Sequence, residues 1–310
     1  MEDSNEEIQN YSNLFRRNLV SLVIIISLSL GISVLVALLT PNVFKSTAIV
    51  VPSSSKYSSS SSGMSSQLGG LASLAGIGGI STEVDEGAIA FKTLSSYDFF
   101  KTLYANDDFI KRVLAGADTN LEDGSVDKFD PKFVDPNTKT WLVKPSLEKA
   151  YKIFYTKHFS SFKDRKSGFI YLHGDHRIPL VAQEIVENVL NELNDYIRAI
   201  DVKEAEAALK YIEGKIASTN ALDVKRVLAS LAERELQVIA LSEASEDFAF
   251  RVVQSAYLPE TKDSPHRSRM VLVGGLIGVI LSSLLILLAD FFKLKISLNR
   301  SFPFIFTKAT

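Results

Sequence analysis

Two long apolar runs frame the chain. "LVSLVIIISLSLGISVLVALL" (Leu19–Leu39) and "MVLVGGLIGVILSSLLILLA" (Met270–Ala289) each hold about twenty residues without an ionisable group. At about 1.5 Å rise per residue, each helix covers roughly 30 Å, the hydrocarbon thickness of a bilayer. One Lys or Arg at mid-span costs about 2.5–3.5 kcal/mol on insertion scales, so the absence of charge is selective. The first run has the position of a signal peptide. Its apolar core exceeds the usual length of about 7–15 residues, and "TPNVFKS" follows in place of a small-x-small cleavage site. The pattern therefore predicts an N-terminal tail over 1–18, transmembrane helix 1 over 19–39 and a folded body over 40–269. Transmembrane helix 2 over 270–289 and a C-terminal tail over 290–310 follow.

Within the body the periodicity alternates between two and 3.6. "VFKSTAIVV" (Val43–Val51) alternates and is β-branched, which predicts a strand ended by Pro52. A Ser/Gly-rich loop over 53–81 comes next, too poor in apolar surface to order its first half. Leu68, Leu71, Leu74 and Ile77 in its second half can pack, so it reads as a mobile surface loop or as a lumen-facing or membrane-proximal one. Ala88, Phe91, Leu94, Phe99, Leu103, Phe109 and Val113 predict two short helices around Ser95-Ser96. The acidic block Gly116–Thr140 reads as a loop or insertion. "SLEKAYKIFYTKHFSSF" predicts a helix capped by Ser146 behind Pro145, and "GFIYLHG" (Gly168–Gly174) a strand.

From Pro179 a stripe through Val181, Ile185, Val189, Leu193, Ile197, Leu209, Ile212 and Ile216 predicts one helix over 179–218, roughly 58 Å long. That exceeds the diameter of about 45 Å of a compact body of this size, so the helix has to project. After "STNALD" a second helix starts at Leu222, giving long helices over about 179–244, and a strand over 248–254 returns the chain to the second span. The fold class is α+β: two transmembrane helices flank a mixed α/β base that carries a long protruding helical hairpin.

Composition adds two constraints. The net charge of the 310 residues is −2, so the molecule as a whole is no polyanion binder and no nucleic-acid partner is expected. Cysteine is absent, which removes disulfides, thiolate chemistry and Cys-ligated metals. Arg16, Arg17, Lys293, Lys295 and Arg300 favour cytoplasmic tails, whereas Lys262, Arg267 and Arg269 lie at the other face.

Enzymatic constellations do not assemble. There is no G-x-x-x-x-G-K-[ST] and no G-x-S-x-G. "DTNLEDG" fails as a calcium loop, its glycine standing seventh and Phe129 occupying the place of the bidentate Glu. "HGDHR" gathers His173, Asp175 and His176, which reads as a polar turn or N-cap, with metal ligation as the alternative. No catalytic, cofactor-binding or metal residue is assigned, and no cofactor is expected.

What remains specific lies at the second span. Pro259 and Pro265 impose a stiff extended connector carrying Ser264, Arg267 can anchor at headgroup level, and Gly274 and Gly278 form G-x-x-x-G, which admits a partner helix at close range. Ser27 and Gly31 give transmembrane helix 1 a similar small-x-x-x-small packing face. In order along the chain, "PNVFKSTAIVVPS", "LSSYDFF", "IPLVAQEIVENVLNELN" and "EDFAFRVVQSAYLPETKDSPHRSR" resemble the bacterial polysaccharide co-polymerases, the chain-length determinant (Wzz) family of lipopolysaccharide O-antigen biosynthesis. The resemblance covers nearly the whole chain and is strongest in the proline connector.

The resemblance implies a protein of the bacterial inner membrane with both tails cytoplasmic and its bulk periplasmic. It implies a non-enzymatic, ring-like homo-oligomer acting with the membrane O-antigen polymerase to set modal chain length, with lipid-linked glycan as a candidate partner. Pro259, Ser264, Pro265, Arg267, Gly274 and Gly278 become the expected oligomer or polymerase contacts. The acidic block and the aromatic tail "NRSFPFIFTKAT" depart from the family pattern, and no Walker sequence or tyrosine cluster marks the kinase-fused subclass. An adaptor for exopolysaccharide or capsule polymerisation and export, or for another repeat-unit polymer, is the alternative. A two-span sensor is disfavoured because tails of about twenty residues hold no output domain, and an anchored hydrolase because no acid/base or nucleophile set is present.

Overall fold

The alternation in "FKSTAIVVP" becomes strand β1 (Phe44–Pro52), with Ser46, Ala48 and Val50 turned into the core. The computed structural model describes residues 18–53, 86–119, 126–245, 247–291, 294–299 and 302–308. The packing expected of Leu68, Leu71, Leu74 and Ile77 lies outside the described residues. The chain divides into two units: residues 43–262 form one, and residues 1–42 with 263–310 form the other.

In the first unit, β1 pairs antiparallel with β5 (Ile170–His176) on one side and with β6 (Phe250–Gln254) on the other. Strand β4 (Phe159–Lys163) extends the sheet, giving the order β4-β5-β1-β6 with every pairing antiparallel. One face is covered by the first half of α6 (Pro179–Ser218), which buries Val181, Ile185, Val186, Val189 and Leu193. Gly174 makes this close approach possible, since a Cβ there would meet the Ala182 carbonyl oxygen and Val186 Cγ2. The short helices α2 (Glu86–Thr93), α3 (Tyr97–Ala105) and α4 (Asp107–Ala115), with α5 (Leu147–Ile153), complete the core. Phe100, Tyr151, Phe154, Tyr155 and Phe159 form its aromatic centre, with the centroids of contacting rings 4.8–6.0 Å apart.

Beyond Asn194 helix α6 changes character: only Ala205 and Ile212 are buried there, and α7 (Leu222–Ala244) packs along it. At about 1.5 Å per residue the 40 residues of α6 span roughly 60 Å, so the far half of the hairpin is held by its own pairing.

Four local expectations are corrected. The helices around Ser95-Ser96 number three, because Asn106 caps a new one through its Oδ1 to the Phe109 N–H at 3.1 Å. The helix expected through Phe162 ends early: a π-turn at Phe154–His158 redirects the chain, and "FSSFK" becomes β4 with Phe159 buried. The acidic block holds a small hairpin, β2 (Gly116–Thr119) with β3 (Val126–Phe129), followed by turns. "HGDH" is not a turn. It continues β5, whose alternation places His176 inside with Ile170, Leu172 and Gly174.

The second unit contains helix α1 (Leu19–Leu39) and helix α8 (Arg267–Phe291), both long and apolar enough to cross a membrane. An antiparallel hairpin, β7 (Leu294–Asn299) with β8 (Phe302–Lys308), lies within the C-terminal tail.

Candidate functional site

The connector begins in the α/β unit. Ser46 Oγ on β1 donates to the Tyr257 carbonyl at 2.7 Å, and Pro259, two residues on, is buried. Pro259 and the Ser264-Pro265 pair fall on opposite sides of the division between units. The Ser264–Pro265 peptide bond is cis. Helix α8 starts immediately beyond it, with the Met270 N–H donating to the His266 carbonyl at 3.2 Å. Pro265 lacks an N–H and its ring fixes φ, so the helix cannot extend backward through it.

Arg267, the first residue of α8, reaches across to the end of the other span. Its Nε donates to the Ala37 carbonyl at 3.1 Å and its Nη2 to Asn42 Oδ1 at 3.3 Å. The last carbonyls of a helix have no intrahelical partner, and this guanidinium satisfies one of them where the helix leaves the apolar region.

Below it the two spans pack through small residues. A Cβ on Gly274 would collide with Ser33, and one on Gly278 would sit 2.8 Å from Ser29 Cβ. Ser29 Oγ donates to the Gly274 carbonyl and Ser33 Oγ to the Met270 carbonyl, each at 2.8 Å. Gly274 and Gly278 therefore meet the chain's own first span. The partner face on α1 is Ser29 and Ser33; Ser27 and Gly31 are exposed, and nothing lies within 4 Å of a Cβ on Gly31. Helix α1 carries several small residues at overlapping four-residue spacings, and each successive residue is turned by about 100°. The spacing alone could not select which row faces the partner.

In the α/β unit two polar anchors escaped the sequence reading. Asn194, buried on the apolar stripe of α6, accepts from the Ala249 and Phe250 N–H groups at 3.0 and 3.2 Å, fixing where β6 starts. Arg198, one turn on, donates to the Ser245 carbonyl at 2.9 Å and lies over the Phe248 ring. An amide interrupting an apolar stripe was the available signal for Asn194. Arg112 joins α4 to α6 through a two-pronged pair with Glu184 at 2.8 and 3.1 Å.

Trp141 packs, partly buried, against the core of the α/β unit. Its indole N–H lies 3.0 Å from both oxygens of Asp107, which also accepts from Lys144 at 2.6 Å. Burial raises the Asp107 pKa, but these donors outweigh it and the carboxyl is held below its ordinary value.

His158 and His176 face each other with ring centroids 5.5 Å apart. Burial lowers the His158 pKa to about 4, against a raising contribution from its bond to the Asp175 carbonyl. Burial, then the neighbouring His158, lowers that of His176 to about 3. His176 Nδ1 accepts from the Ile178 N–H at 3.1 Å, so a neutral ring caps the entry to α6. His173 is on the other face of β5, bonded to Thr47 Oγ1 at 2.9 Å. Among the described residues no group of three or more His, Cys, Asp or Glu side chains is placed to hold a metal ion.

No family model matches the chain, and no curated protein matches it. Among the solved structures similar to this chain are two polysaccharide co-polymerases. One is described as a full-length bacterial polysaccharide co-polymerase: 11% identity, 90% of this chain and 96% of that chain covered, TM-score 0.38. The other is a fragment of WzzB, a polysaccharide co-polymerase from Salmonella Typhimurium: 14% identity, 72% of this chain and all of that chain covered, TM-score 0.29.

Proposed function

We infer that this chain is a non-enzymatic regulator of polysaccharide chain length, a scaffold in the bacterial inner membrane that acts with the O-antigen polymerase. The observation that carries the reading is the order of parts. An apolar helix leads into the central strand β1, and a 40-residue helix returns through β6 into a proline connector and a second apolar helix. This order coincides with the sequence segments that resemble the chain-length determinants. The bulk of the chain, residues 40–269, is assigned to the periplasm and both tails to the cytoplasm.

The reading includes self-association. Tyr211, Leu222, Val224, Val227 and Leu236 on the far half of the hairpin are 47–66% exposed, apolar surface available to further copies of the chain. Because Gly274 and Gly278 are occupied within the chain, a polymerase would meet the paired spans as one body. Deleting the gene and separating surface lipopolysaccharide on a gel tests the function. Clustered O-antigen lengths are expected to become randomly distributed and to recover on complementation. An unchanged O-antigen ladder with loss of a capsule would favour the exopolysaccharide or capsule adaptor.

A further inference from the structure

Between the two apolar helices, at the end marked by Arg267, lies a groove of about 530 Å³. Leu30, Val34 and Leu38 of α1 and Val271, Leu272 and Gly275 of α8 form its apolar walls, with Arg267 and Ser268 at its mouth. Gly275 helps to open it, since the residue adds no side chain beside Leu30. The volume falls within the range of about 300–1,000 Å³ usual for ligand pockets.

We propose that this groove holds one acyl chain of an anionic glycerophospholipid, whose phosphate is bound by the Arg267 guanidinium. Two physical arguments select this occupant. Inside a bilayer an unfilled apolar groove forfeits dispersion contacts along its walls, and the groups at hand to restore them are lipid tails. The tail alone gives no selectivity, because lipid tails are as apolar as leucine. Selectivity comes from the mouth, where both hydrogen-bond partners of Arg267, the Ala37 carbonyl and Asn42 Oδ1, are neutral oxygens. Neither bond cancels the positive charge, and a guanidinium pairs well with a phosphate. The inference rests on the two helices crossing a membrane and not on the chain-length reading.

The test is native mass spectrometry of the full chain in non-ionic detergent, titrated with palmitoyl-oleoyl phosphatidylglycerol and, separately, with the zwitterionic phosphatidylcholine of the same tails. One phosphatidylglycerol per chain is expected, held about fivefold more tightly than phosphatidylcholine, the effect of one interfacial basic residue. Arg267→Gln should erase that preference and Arg267→Lys should retain most of it. Val34→Trp, which fills the groove and leaves the arginine in place, should abolish retention of both lipids. Equal retention of the two lipids by the unaltered chain, or undiminished binding by Val34→Trp, would overturn the proposal. So would a polyprenyl phosphate that displaces phosphatidylglycerol at equal concentration, or a groove that excludes lipid because a second copy's helix fills it.

Discussion

His158 and His176 show how one residue type takes its meaning from its surroundings. As text, "HGDHR" is polar and cationic and suggests a turn or a metal site. Folded, His176 is a neutral ring on the inner face of a sheet, cross-linking β5 to the start of α6. The folded state resists protonating both rings, whereas the unfolded chain takes up protons near the ordinary histidine value of 6.5. Above pH 6.5 both states carry neutral rings and the pair leaves stability independent of pH. Below it the unfolded state gains protons first, and stability falls until the pH reaches the folded values of about 4 and about 3. The slope is up to about 1.4 kcal/mol per pH unit for each ring. Melting of the full chain in detergent should therefore be flat above pH 6.5 and decline between 6.5 and 5, above the range where ordinary carboxylates titrate. His158→Gln should remove about half of that decline. A flat melting temperature down to pH 5 would show that these rings are accessible to protons in the fold.

At the level of elements, the paired spans are the part whose logic is most local. Gly278 lies against Ser29, whereas Gly31 faces open space. Gly278→Leu should weaken the pairing by about 1–3 kcal/mol through overpacking, and Gly31→Leu should stay within about 0.5 kcal/mol. Sodium dodecyl sulfate titration followed by circular dichroism measures both, and equal effects would refute the facing assigned to α1. The same helices show what was legible in advance. Their existence and length follow from uninterrupted apolar composition, and the 40 residues of α6 from a stripe that persists for about ten turns. Facing was not legible, because Ser27, Ser29, Gly31 and Ser33 offer two equally spaced rows. Strand β4 was hidden for a different reason. Its "FSSFK" follows a helical stripe without a proline or glycine, and only the π-turn at Phe154–His158 separates the two. Asn194 was hidden by the stripe around it.

At the scale of the whole molecule, the two units divide the labour. One supplies apolar helices locked by glycine, serine and an arginine strut. The other supplies an antiparallel sheet that anchors one end of a long hairpin whose far half is held by pairing alone. Under the proposed function, the exposed apolar positions of this hairpin are the surface offered to other copies of the same chain. The central claim is that this chain biases a polymer's length without making or breaking a glycosidic bond. The most direct measurement is in vitro polymerisation from lipid-linked repeat units by the membrane polymerase in proteoliposomes, with and without the purified full chain. The account predicts a broad length distribution from the polymerase alone, a clustered one when this chain is added, and no bond formation or cleavage by this chain alone. An unchanged distribution on addition, or turnover of repeat units by the chain unaided, would contradict it.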